Sequence, residues 1–201
     1  MKKIRGSLLS LLLAILMCFV LAACSGGEPS AEEGEDDYHY AAEDMIGSQF
    51  GDFTSVDMDG NEVSNEIFMD ADVTVLNVWA TFCGPCIEEM PDLAALAEKL
   101  PDNAQIIGVV IDTPPAGVKN DSSEVWGGDA ENIELAKQIC EETGVKYTNI
   151  LASDSVMEMF ANVEAVPTTF IVDREGVIVY EPFIGADVEG YEKAVHAFLE
   201  E

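Results

Sequence analysis

Positive charge is scarce in this chain. Its 201 residues hold 9 Lys and Arg against 39 Asp and Glu, a formal net charge of −30 at pH 7. Such a surface repels phosphate backbones and anionic lipid headgroups, which excludes nucleic acid as a partner. The plain reading of the charge is a well-solvated surface rather than an acidic binding site. Histidine is scarcer still, with two in the chain. His39 stands between two tyrosines and His196 lies on a helical stretch near the end, so neither has a ligand-spaced partner. Internal repeats are absent as well, which sets repeat architectures aside.

A long hydrophobic run occurs once, from Leu8 to Val20, behind a basic segment of Lys2, Lys3 and Arg5. This is the pattern of a secretory signal, too short to span a bilayer comfortably. Leu21-Ala22-Ala23-Cys24 closes it and resembles the bacterial lipobox. The resemblance implies a signal over residues 1–23, a lipidated Cys24 and a membrane anchor through the acyl chains it carries. An ordinary signal peptide or an uncleaved anchor is the alternative. Loss of the leader removes Cys18 and three basic residues but no acidic one, leaving a formal charge of about −33. Residues 24–45 are rich in Gly, Ser, Glu and Asp without an apolar period, an expected disordered acidic tether. Residues 46–201 remain as one domain, long enough for a real core.

Within that domain, 52–56 and 62–64 read as a hairpin around Asp57-Met58-Asp59-Gly60-Asn61. Val73 to Trp79 is nearly all apolar, as a central strand buried on both faces must be. Ile87, Met90, Leu93, Leu96 and Leu100 then recur at helical spacing, with Pro91 expected to kink the helix rather than end it. Gln105 to Ile111 reads as a second buried strand, followed by Asp112. Residues 113–130 break the rhythm with Pro114-Pro115, Gly117 and Gly127-Gly128, a long loop in which Trp126 reads as an anchor, with a lid over a site as the alternative. Beyond it the pattern predicts a helix over 131–142, a strand over 147–151 and a short helix over 154–160. Thr168–Val172 and Val177–Tyr180 then form a hairpin, and a last helix covers 188–199. That order predicts an α/β fold, a mixed central sheet covered on both faces, with parallel strands first and an antiparallel edge last.

The stretch Trp79-Ala80-Thr81-Phe82-Cys83-Gly84-Pro85-Cys86 sits where strand gives way to helix. A cysteine at a helix N-terminus has its thiolate stabilised by unpaired N–H groups and the positive end of the dipole. Cys86 lies one turn later on the same face, within reach of a disulfide, and Pro85 fits the first turn at no cost. A redox dithiol, half a zinc site and a structural bridge all fit Cys-x-x-Cys. Zinc needs two further ligands, and the chain beyond the leader offers Cys140 and the two isolated histidines. A structural bridge closing so small a ring restricts little unfolded-state entropy.

The flanking residues add a resemblance. Trp79 to Cys86 looks like the active site of thioredoxin-like proteins, and Val166-Pro167-Thr168 is similar to their cis-proline loop. The N-terminal hairpin, the Glu88-Glu89-Met90-Pro91 run and the central insertion resemble the membrane-anchored TlpA/ResA-type thiol–disulfide oxidoreductases. The resemblance implies a thioredoxin-like fold, Cys83 as nucleophile, Cys86 as resolving thiol, and no metal or cofactor beyond this dithiol. Trp79 and Phe82 would flank the site with apolar surface. Val166 would pair with an extended substrate chain, and Pro167, if cis, would face the dithiol.

One position departs from thioredoxin, whose buried aspartate six residues before the first cysteine is here Asn77. Asparagine cannot act as a base, so the Cys86 proton needs water or a carboxylate. Glu88, Glu89 and Glu164 are candidates, each expected to be exposed. The Gly84-Pro85 dipeptide matches thioredoxin, whose potential is about −270 mV, and favours a reductant. Implied partners are disulfide-bearing extracytoplasmic proteins and a transmembrane thiol carrier supplying electrons. Cys140, on an apolar helical face, reads as a buried thiol, with a third redox cysteine as the alternative. A non-catalytic binding module and a thiol peroxidase are competing functions. The peroxidatic Thr-x-x-Cys spacing is missing, since Thr81 precedes Cys83 by two positions.

Overall fold

The computed structural model describes residues 45–113, 130–161 and 163–200. The leader, Cys24, the tether up to residue 44 and Trp126 in the insertion lie outside the described residues.

Strand β1 (Thr54–Val56) pairs antiparallel with β2 (Glu62–Ser64). The turn between them closes on Asp57, whose carboxylate accepts from the amides of Asp59 and Asn61, both at 2.9 Å. Burial pushes that carboxyl up, and the bonds from Asn61, Asp59 and Gly60 outweigh it and hold the group below its ordinary value. A 3-10 helix, Asn65–Asp70, follows, which sequence periodicity did not indicate. Ser64 caps it by accepting from Glu66 N.

The central sheet has five strands in the order β5-β4-β3-β6-β7. They are β3 (Val73–Trp79), β4 (Ala104–Val110), β5 (Asn149–Leu151), β6 (Thr168–Asp173) and β7 (Phe183–Ile184). Strands β3, β4 and β5 run parallel, while β6 is antiparallel to β3 and β7 antiparallel to β6. Four α-helices complete the domain among the described residues: α1 (Gly84–Ala97), α2 (Ala130–Thr143), α3 (Asp154–Met159) and α4 (Val188–Leu199). Helix α1 continues through Pro91.

The expected hairpin after β6 is only partly regular. Its turn forms, with Gly176 at φ 76°, a left-handed conformation open to glycine, and with Asp173 capping the amides of Glu175 and Val177. The returning segment makes single bridges, Val172 to Ile178 on one side and Gln49 to Val177 on the other. The regular edge strand comes later, as β7.

Every residue of β3 is buried, and its alternation divides the core. Leu76 and Val78 join Phe170, Val172 and a cluster of Phe50, Phe53, Phe68 and Phe160 on one face. Phe50 contacts Phe170 and Phe160 edge-on, with centroids 5.3 and 5.5 Å apart. Val73 and Val75 turn to the other face, with Ile171, Leu93, Leu96, Tyr191, Ala194 and Val195. There α1 packs against both α2 and α4.

Trp79 belongs to this interior. It was expected to present apolar surface to a substrate, but it is fully buried, and its indole donates to Asn149 Oδ1 at 2.9 Å. That bond passes over Gly108 of β4, where any Cβ would collide with Asn149 and press on the indole nitrogen. The large apolar ring at the end of a central strand is more stably placed inside than at a docking surface.

Candidate active site

β3 ends at Trp79, and the chain turns through Ala80 to Phe82 before α1 begins. Asp112 anchors this turn. Its carboxylate accepts from Thr81 N at 3.1 and 3.0 Å and from the Thr81 hydroxyl. Asn132 of α2 holds the Asp112 carbonyl at 2.8 Å. The Cys83 amide closes the turn on Ala80 O at 3.1 Å. Phe82, at its tip, is 72% exposed, the most exposed of the large apolar side chains among the described residues.

Cys83 is the N-cap of α1, and its Sγ accepts from Cys86 N at 3.2 Å. Cys83 and Cys86 are joined by a disulfide. Bonded to Cys86 and covered by the neighbouring loop, Cys83 is 6% exposed, against 1% for Cys86. The loop is Val166-Pro167, with a cis peptide bond. Cys83 Sγ lies 3.5 Å from the Val166 carbonyl oxygen. In the disulfide that sulfur has no proton to give, whereas a reduced Cys83 thiol donates to the same oxygen. Val166 is half-buried and Pro167 buried, and the loop is pinned from just beyond β7 by Gly185 N on Pro167 O at 2.8 Å. The dithiol and the cis-proline, some eighty residues apart in sequence, thus share one end of the sheet.

Beneath them lies a polar group whose burial the sequence did not indicate. Of the three glutamates considered, Glu88 and Glu164 are exposed, but Glu89 is only 5% exposed. It lies one turn beyond Cys86 on the inward stripe of α1. Asn77 Nδ2 donates to Glu89 Oε1 at 2.9 Å and to Thr169 Oγ1, on the paired strand, at 3.0 Å. The Tyr191 hydroxyl of α4 reaches Glu89 Oε2 at 3.2 Å. Burial pushes the Glu89 carboxyl above its ordinary range, against the opposing pull of the Asn77 and Tyr191 bonds. Burial likewise raises the Tyr191 phenol to about 12. The signal for Glu89 was present: it falls on the same helical stripe as Cys86, Met90 and Leu93. Nothing in the sequence pairs it with Tyr191, which arrives from α4.

Cys140 is buried, and burial alone raises its thiol to about 11. A thiol so held is a poor nucleophile near neutral pH. Among the described residues no group of three or more His, Cys, Asp or Glu is placed to hold a metal, and no helix is long and apolar enough to cross a membrane.

Comparison with known proteins agrees with this geometry. The Redoxin family matches residues 45–195. The thiol-disulfide oxidoreductase ResA of Bacillus thuringiensis (strain Al Hakam) is 26% identical over 156 residues, covering 75% of this chain and 79% of ResA. The thioredoxin-like protein YneN of Bacillus subtilis (strain 168) is 30% identical over 132 residues, covering 66% of this chain and 68% of its own. Among solved structures, the thioredoxin domain of a thiol-disulfide oxidoreductase from Bacteroides vulgatus aligns with a TM-score of 0.56 at 24% identity. It covers 76% of this chain and 96% of that one, a likeness of fold. With a disulfide-forming pair at the head of α1 and the family match running across both motifs, the chain belongs to the Redoxin family and is a thiol–disulfide oxidoreductase of the TlpA/ResA type.

Proposed function

We propose that this protein is an extracytoplasmic, lipid-anchored reductant of disulfides in exported proteins. The observation that carries the reading is the placement of Cys83, at the N-cap of α1 and 3.5 Å from the Val166 carbonyl oxygen. In the reduced protein the Cys83 thiolate, stabilised by the first-turn amides, attacks one sulfur of a substrate disulfide. The other substrate sulfur leaves as a thiolate and takes a proton from water. Cys86, deprotonated, then attacks Cys83 Sγ in the mixed disulfide, re-forming the Cys83–Cys86 bond and releasing the second substrate thiolate. Two electrons pass to the substrate, and a transmembrane thiol carrier restores them to the dithiol.

Glu89 is the proposed acceptor of the Cys86 proton. Its support is its burial one turn beyond Cys86, with a carboxyl already held above the ordinary range. The exposed Phe82 ring and the Val166-Pro167 loop are the proposed docking surface for an extended, partly unfolded partner. Trp79, being buried, takes no part in docking. No cofactor beyond the dithiol is required by this chemistry. The anchor rests on the lipobox-like Leu21-Ala22-Ala23-Cys24.

Trapping tests the reading. A Cys86→Ala variant expressed as the full chain is expected to accumulate exported partners as mixed disulfides on Cys83, released by dithiothreitol. Absence of such adducts sinks it. Redox titration tests direction: a midpoint above about −150 mV, near that of the oxidant DsbA, contradicts a reductant. For the anchor, Cys24→Ala is expected to move the protein from the membrane fraction to the soluble one.

A further inference from the structure

Tyr191 is fully buried, yet its hydroxyl stands at a junction of polar groups, the Thr169 side chain among them. The Asp187 amide donates to it at 3.0 Å. Glu89 Oε2 and the Gly185 carbonyl lie 3.2 and 3.0 Å away, both acceptors. A phenol carries one proton and can serve only one of them at a time. Facing an ionised Glu89, that proton goes to Oε2, because a hydrogen bond to a charged acceptor is the stronger. Once Glu89 is protonated, its own O–H donates to the Tyr191 oxygen, and the phenol proton turns to Gly185. Gly185 N–H in turn holds the Pro167 carbonyl at 2.8 Å.

We infer that Tyr191 is a positioning residue that sets the pH at which Glu89 takes the Cys86 proton, its hydroxyl proton alternating between the Glu89 carboxylate and the Gly185 carbonyl. The inference rests on Glu89 being that acceptor. The groups around the Glu89 carboxyl are few. Cys86 shares its helix, Asn77 comes from β3 with Thr169 of β6 behind it, and Tyr191 comes from α4. Burial pushes the Tyr147 phenol up, and the charges of Cys140 and Glu89 push it in the same direction. No cation is among them, so hydrogen bonds stabilise the carboxylate, and Tyr191 is the donor arriving from outside the β3–α1–β6 unit.

Tyr191→Phe in the full chain removes the hydroxyl and keeps the ring against Phe183, whose centroid lies 5.0 Å away. Losing a donor to the carboxylate raises the Glu89 pKa. The readout is the rate at which a preformed mixed disulfide on Cys83 resolves, followed from pH 5 to 10. The expected result is that its alkaline rise moves upward by about one pH unit, roughly tenfold slower resolution on the rising limb. In a Glu89→Gln background the same substitution is expected to move nothing further. If Glu89→Gln alone leaves the rise in place, the reading of Glu89 itself fails. If Glu89→Gln abolishes the rise but Tyr191→Phe leaves it where it was, the role of Tyr191 alone is overturned. Should Tyr191→Phe not fold, the wild-type protein decides: the Tyr191 Cζ resonance is expected to inflect at the pH where the Glu89 carboxyl titrates, and a flat response overturns the inference.

Discussion

Thr169 and Phe170 are neighbours in β6, and they face two differently built cores. Phe170 enters a face packed with phenyl rings, which needs no polar partner and is stabilised by burial and ring contacts. Thr169 enters the face where Asn77, Glu89 and Tyr191 meet, a group that costs desolvation and leaves Asn77 Oδ1 without a protein partner. The first face holds the sheet together; the second carries a proton-binding group next to the dithiol. Stability and chemistry are therefore separable across the thickness of one sheet, and substitutions on the two faces should read out differently.

The largest expected effect is on the aromatic face. Phe170→Ala removes a ring in contact with Phe50 and Phe160 and is expected to cost about 3–5 kcal/mol in urea unfolding. The pH profile of disulfide exchange in the folded fraction is expected to stay put; a shifted profile would break the separation. Trp79→Phe is next, at about 1–3 kcal/mol, because it leaves Asn149 Oδ1 buried without its donor.

Glu89→Gln sharpens the contrast through pH. The raised pKa means the native state keeps this proton to a higher pH than the unfolded chain, whose ordinary value is 4.5. In that window the folded protein binds more protons, so wild-type stability falls as pH rises through the folded pKa. The glutamine variant is expected to lose this decline, gaining on the wild type between pH 4 and pH 8 in urea titrations. Parallel curves for the two proteins would count against a burial-dominated Glu89. The smallest effect belongs to Phe82→Ala, within about 0.5 kcal/mol in stability because the ring is exposed. Its kcat/KM with protein disulfides is expected to fall while that with a small aromatic disulfide does not.

Those differences follow what local sequence can encode. β3 is bounded in the structure as its apolar run predicts, because burial on both faces leaves an unbroken signal. Cys83, Cys86 and Val166-Pro167 were legible because their chemistry is written in short motifs. The 3-10 helix and the two-residue β7 were not, since neither is long enough to show a period. Glu89 was misplaced for another reason. Carboxylates are ordinarily solvated, and what holds this one inside is supplied by Asn77, 12 positions away, and Tyr191, 102 positions away. Trp79 adjoins the motif in sequence, but it ends a strand buried on both faces and its indole is held inside by Asn149.

The gap at Gly108 has a consequence for how the sheet assembles. Strands β3 and β5 are not neighbours in the sheet, yet a side chain from each meets across the bare backbone of the strand between them. Slide β4 by one position in either direction and Ile107 or Val109 fills the opening, blocking the indole from Asn149. A missing side chain thus acts as a keyway: the three parallel strands can lock in one alignment, and that alignment carries Trp79, and with it the head of α1, to its place at the end of the sheet.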